Sequence, residues 1–225
     1  MKLRFLLFSA IGLFVSASSL QAQKSSAIIR GGVNFANVSN ATDGGYDENN
    51  SLTSFQAGII GDFNISSFFA IQPGLLYTGK GVKLQSGDEG DVLYQKLTYN
   101  PQYIEVPVNL VFKTPTGRAK FFVGAGPYVA VGVGGKFKGE GILEFERNIE
   151  FSDDDPLTAE EEGAGAFRMK RFDYGLNGIA GIEAGNLVIA ANYGYGLAKL
   201  QSGADSDDND ANKHRVLSLT LGFRF

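Results

Sequence analysis

The sequence predicts an all-β fold: an eight-stranded antiparallel up-and-down transmembrane β-barrel with short periplasmic turns and long extracellular loops. Three observations carry this. Apolar residues alternate with small or polar ones through eight segments, the connections alternate between short and long, and acidic residues are sorted into the long ones. Period two is the mark of a strand, whose successive side chains point to opposite faces.

The segments are 27–36, 53–64, 68–80, 103–113, 120–135, 170–184, 186–198 and 213–225. In the fourth, Ile104, Val106, Val108, Leu110 and Phe112 share a face, with Tyr103, Glu105, Pro107, Asn109 and Val111 on the other. The seventh sets Leu187, Ile189, Ala191, Tyr193, Tyr195 and Leu197 against Val188, Ala190, Asn192, Gly194 and Gly196. The eighth carries Leu217, Leu219, Leu221, Phe223 and Phe225 to the C-terminus. A greasy face backed by small, mild residues suits a wall with lipid outside and a narrow lumen inside. The 30 glycines let such a wall curve tightly.

Only "ISS" separates segments two and three, "TPTGRA" segments four and five, and a turn at Gly185 segments six and seven. The remaining connections are 37–52, 81–102, 136–169 and 199–212, and they hold 20 of the 24 acidic residues. The other four, Asp62, Glu105, Asp173 and Glu183, fall on the small, polar face, as do Arg30, Arg171 and Arg224. These seven are expected to form a lumen-facing charge network, because an Arg or Lys facing mid-bilayer hydrocarbon costs about 2–4 kcal/mol. Arg30 and Arg224 are expected to balance Asp62 and Glu183 near the periplasmic end. Phe122, Tyr128 and Tyr103 are expected to fill the interior, since eight strands leave room only for side chains.

Aromatics on the apolar face fall into two girdles, as at the two headgroup levels of a membrane. Phe35, Phe55, Tyr77, Phe172, Tyr174, Tyr193 and Tyr195 lie toward the long loops, and Phe63, Phe69, Phe112, Phe121, Phe223 and Phe225 toward the short turns. Pro73, Pro107 and Pro127 interrupt the strands, and their missing N–H groups predict bulges there.

At the N-terminus Lys2 and Arg4 precede "FLLFSAIGLFV" and "SLQAQ", the charged, apolar, small-residue order of a secretory signal peptide. The apolar run is short of the roughly 20 residues that span a bilayer. Residues 1–22 are expected to be removed, leaving 23–225 as an outer-membrane barrel domain with both termini periplasmic. Absence of cysteine excludes a disulfide scaffold and thiolate chemistry. Loss of Lys2 and Arg4 takes the formal charge from −4 to −6, against nucleic acid as a partner.

"IQPGLLYTGKG", "YIEVPVNLVFK", "GAGPYVAVGVGG" and the terminal "LGFRF" resemble the PorT-like family of outer-membrane β-barrel proteins, over about 27–225. The resemblance implies insertion by the barrel assembly machinery, with Phe225 as the assembly signal. It also implies a link to protein secretion, the role of the founding type.

Candidate chemistry is sparse. The lone His214 follows the acidic "DSDDND" of 205–210, an Asp–His pairing able to activate water at the barrel mouth, but no nucleophile accompanies it. "DSDDND" has oxygens at calcium-loop spacing yet lacks the glycine and glutamate of such a loop. "SDDDP" from Ser152 reads as a solvated loop tip. The glycines at 132–135 and the "GGYD" from Gly44 precede no helix, so neither forms a phosphate cradle. No catalytic, metal or cofactor residue is assigned. The function expected is that of a non-enzymatic envelope or interaction protein with a filled interior and acidic loops. Its partners are outer-membrane lipid, the assembly machinery, and other envelope or secretion proteins. A small-ligand binding or transport barrel and a barrel-mouth hydrolase using His214 remain the alternatives.

Overall fold

The computed structural model describes residues 25–38, 48–87, 94–115, 117, 119–141, 144–152, 168–198 and 213–225. The segment 1–22 and the stretches 44–47, 153–156 and 205–210 lie outside them. Thirteen strands occur among the described residues: β1 (Ser25–Val38), β2 (Glu48–Asn50), β3 (Leu52–Asn64), β4 (Phe69–Gly79), β5 (Val82–Ser86), β6 (Gln95–Lys113), β7 (Ala119–Gly141), β8 (Phe145–Asn148), β9 (Glu150–Ser152), β10 (Arg168–Lys170), β11 (Phe172–Ala184), β12 (Leu187–Gly196) and β13 (His214–Arg224).

Eight of them close a ring in the order β1, β3, β4, β6, β7, β11, β12, β13. Each pairs antiparallel with its chain neighbour, and β13 returns to β1, as in Val33↔Leu219. Closure leaves none of these eight as an open edge. At one rim the turns are tight. Gly185, between β11 and β12, has φ of 60°, which glycine adopts without the penalty a Cβ would bring.

At the other rim three of the expected loops, 37–52, 81–102 and 136–169, are partly strand. Through 82–86 and 95–102 the chain continues as β5 and the start of β6, and through 136–141 β7 runs on to pair with β6. β2 and β8 pair onto the outer sides of β5 and β7, so a wall of five strands rises from one sector of the ring. Its inner face packs Val38, Val82, Leu84, Leu97, Phe137 and Ile149 into a small apolar core, with Tyr99 stacked on Phe137 at 4.3 Å.

A single bulge makes this wall possible. Gln102 pairs with Gly134 but Tyr103 pairs with Gly132, so β7 carries one extra residue, Val133. Below it the even-numbered residues of β7 face inward, as Phe122, Tyr128 and Ala130 do; above it Phe137 is the buried one. A bulge leaves one residue unpaired and re-aims the side chains beyond it. Without it Phe137 would face outward and Lys136 and Lys138 the lumen.

The prolines do not coincide with bulges, which corrects the expectation from their missing N–H groups. Each falls beside a gap of two residue pairs across which register is kept: Pro73 opposite Gly61, Pro107 opposite Gly74 and Pro127 opposite Val108. A proline lacks only its own N–H. The neighbouring strands keep their alignment because pairing resumes on both sides.

Outside the ring, every barrel strand shows apolar side chains to its surroundings: Ile29, Phe55, Leu75, Leu110, Val129, Leu176, Ile189 and Leu219 are exposed, Val129 at 60%. An apolar belt this continuous is far beyond what a water-soluble monomer tolerates. At the upper girdle Phe55 packs on Tyr77, and at the lower one Phe69 on Phe112, with ring centres 5.8 and 5.2 Å apart.

Candidate functional site: a charge-filled lumen

Alternation puts every second residue of eight strands into one narrow channel, and the interior follows as layers. The lowest, at the short-turn rim, is ionic. Lys113 Nζ lies 2.6 Å from Asp62 Oδ2 and 3.1 Å from Glu183 Oε1, and Arg224 Nη2 lies 2.9 Å from Asp62 and also binds Glu183. Gln72 donates to Asp62 at 3.0 Å. Asp62, with no exposed surface, thus accepts from three side chains. Two cations meet two carboxylates, so every ion of the layer has a counter-charge, without which burial would be strongly unfavourable.

Above this layer Ile28, Ile60, Val111, Phe122, Ile179 and Val188 pack together. Glycine makes the space: a Cβ on Gly181 would lie 2.5 Å from the Phe122 ring, and one on Gly175 2.7 Å from the Tyr128 ring. Both distances are below any real contact, so the aromatic rings occupy recesses that only glycine leaves open.

The next layer is polar and holds a cavity of about 30 Å³ lined by Arg30, Gln56, Asn109, Glu105, Asn177, Asn192 and Ser218 among others. That is room for about two waters. Arg30 donates to Asn192 at 3.3 Å, and Asn177 to Glu105 at 3.4 Å. Arg30 therefore stands two layers above the position expected for it, and Lys113 is the second cation of the ionic layer at the bottom.

A second ionic knot lies higher still. Lys80 Nζ is 2.7 Å from Glu105 and 2.8 Å from Asp173, and stands 4.2 Å over the ring of Tyr128, whose hydroxyl donates to Asp173 at 3.2 Å. Lys80 sits at the joint between β4 and β5, where its backbone N–H also donates to Pro101, so the knot fixes the base of the wall. Tyr103 is fully buried beside it, with His214 Nε2 at 3.4 Å from the Tyr103 hydroxyl. His214 is 1% exposed and sealed inside the wall, not open at the mouth. Arg171, at the top, donates to the Phe151 carbonyl, and Phe225 closes the lower rim through paired backbone bonds with Ala27. Among the described residues no group of three or more His, Asp and Glu side chains could hold a metal ion.

Lys80 and Lys113, the cations at the centre of both knots, are not among the charges expected from the sequence. Both end their segments, and both share a parity with inward neighbours, Thr78 for one and Val111 for the other. Parity is the signal that finds them.

A closed eight-stranded ring, apolar without and ionic within, defines a membrane-spanning β-barrel. The chain belongs to the outer membrane protein beta-barrel domain family, whose model matches residues 21–202. No curated protein matches it. Among solved structures it is similar to Ail, the attachment invasion locus protein of Yersinia pestis, at 17% identity, covering 90% of this chain and 100% of that one with a TM-score of 0.43. It is also similar to the outer membrane protein OprG from Pseudomonas aeruginosa, at 15% identity, 89% and 96% coverage and a TM-score of 0.42. A third is the outer membrane enzyme PagL, at 13% identity, 87% and 98% coverage and a TM-score of 0.45.

Membership of this family implies the bacterial outer membrane, and the apolar belt is then the lipid-facing surface. Leu219, 54% exposed midway along β13, lies near the centre of that belt. Leu219→Arg is expected to destabilise the barrel by about 2–4 kcal/mol, measured by urea unfolding in phospholipid vesicles. The same change at Lys138, beyond the belt, should cost nothing measurable there.

Proposed function

We propose that this is a non-enzymatic outer-membrane protein that presents its long, acidic connections to the outside and conducts nothing through its lumen. The observation that carries the reading is the stack of filled layers: two ion-paired knots, with an apolar layer and a chamber for about two waters between them. A ligand-transporting barrel needs a bore wider than this chamber, and a hydrolase based on His214 needs that ring to meet water.

In this reading the short turns and both termini face the periplasm, Phe225 is the signal read by the barrel assembly machinery, and the acidic connections contact another envelope protein. Within the family we assign the chain to the PorT-like members on "IQPGLLYTGKG" and "YIEVPVNLVFK", and an association with protein secretion follows from that assignment. The seven charges expected in the lumen act as structural counter-charges in this reading, with Lys80 and Lys113 added to them.

Pure protein in planar bilayers is expected to give no steady single-channel current; large, stable openings would overturn the reading. Cross-linking in intact cells tests the secretion role, which secretion components among the captured proteins would support.

A further inference from the structure

We propose that the outward face of the raised wall binds the phosphate groups of glycolipid headgroups in the outer leaflet. The proposal rests on the barrel orientation given under the proposed function. Its first support is position. On β7 the outward residues Val131 and Val133 are exposed and belong to the lipid-facing belt, and the next outward charged residue beyond the bulge, Lys136, comes within about 10 Å of strand. The cationic face thus begins where the apolar one ends.

The second support is charge. Outward on the wall's strands stand Lys83, Lys96, Lys136 and Lys138, against Glu140 and Glu146, with Glu48 of β2 at the register position opposite Gln85. Lys96 pairs with Glu140 at 2.9 Å, while Lys136 and Lys138 share the one carboxylate of Glu146. A face with a net positive charge, four lysines against three glutamates, is unusual on a chain whose formal charge is −4. The hydrogen bonds from Lys136 and then Lys138 push the Glu146 carboxyl down to about 2, so it stays ionised and the surplus holds at any physiological pH. A lysine ammonium is a compact phosphate partner on a flexible apolar stem, and such stems extend along a membrane surface while the head reaches the charged layer.

The test uses the purified full-length barrel in detergent, titrated with bis-phosphorylated lipid A and with its dephosphorylated form. The phosphorylated form is expected to bind at least about tenfold more tightly, and K83Q/K96Q/K136Q/K138Q to lose that preference. Heat-modifiable migration on gels reports folding; should the quadruple variant not fold, K136Q/K138Q is expected to lose most of the preference alone. Equal affinity for the two lipids, or a folded variant that keeps the preference, overturns the proposal. So does displacement of the lipid by millimolar inorganic phosphate, which would mark a free-phosphate site. Protease digestion of intact cells reads the orientation separately: cleavage of the wall only after the outer membrane is opened would sink the orientation, whatever the detergent titration gives, and the leaflet with it.

Discussion

Asp62→Ala is expected to destabilise the folded barrel by about 3–5 kcal/mol, the cost of breaking a buried ion pair from one side. Asp62 accepts from Lys113, Arg224 and Gln72 at once. Without it two cations face the single carboxylate of Glu183 in a layer with no exposed surface at that position. The measurement is reversible urea unfolding in vesicles followed by gel migration, and the controlling variant is Gln72→Ala. That change removes only a neutral donor and should cost about 1 kcal/mol. A loss at Asp62 no larger than that at Gln72 would mean that water reaches the layer and screens it.

Lys80→Ala is expected to cost as much, about 3–5 kcal/mol, by the opposite imbalance. Glu105 and Asp173 both lie within 2.8 Å of Lys80 Nζ, and its removal leaves two carboxylates together under the wall. Neutralising them as well, in Lys80→Met with Glu105→Gln and Asp173→Asn, should recover most of the loss, because a fully uncharged layer involves no desolvation of ions. The same triple variant discriminates structure from conduction: if the knots are counter-charges alone, planar bilayers should stay silent with it.

Much of this architecture is legible in the sequence because a barrel wall obeys one rule along its length. Leu219 outside and Asp62 inside come from counting by twos, and tight turns at one rim come from connection length. The wall above the ring is not legible, for a definite reason. The odd-numbered residues of β7 run apolar from Phe121 to Val133 and on to Phe137, so the pattern passes through the bulge without a break, and nothing in the letters marks where the faces exchange. The position expected for Arg30 is two layers too low because period two gives a face but not a partner, and partners depend on how neighbouring strands are staggered. Lys80 and Lys113 lie at segment ends, where only the parity of an inward neighbour, Thr78 for one and Val111 for the other, tells their face.

Val133, the extra residue, has a consequence for how such a protein tolerates change. Beneath it the strands follow the inside-out rule of a body immersed in oil, and above it they follow the ordinary rule of a body in water. The boundary between those two regimes is written in one amino acid of length, not in composition. Losing or gaining a single residue near there would leave the hydropathy profile almost untouched while exchanging the neighbours of every side chain beyond. Length variation in this hairpin should therefore come in even steps.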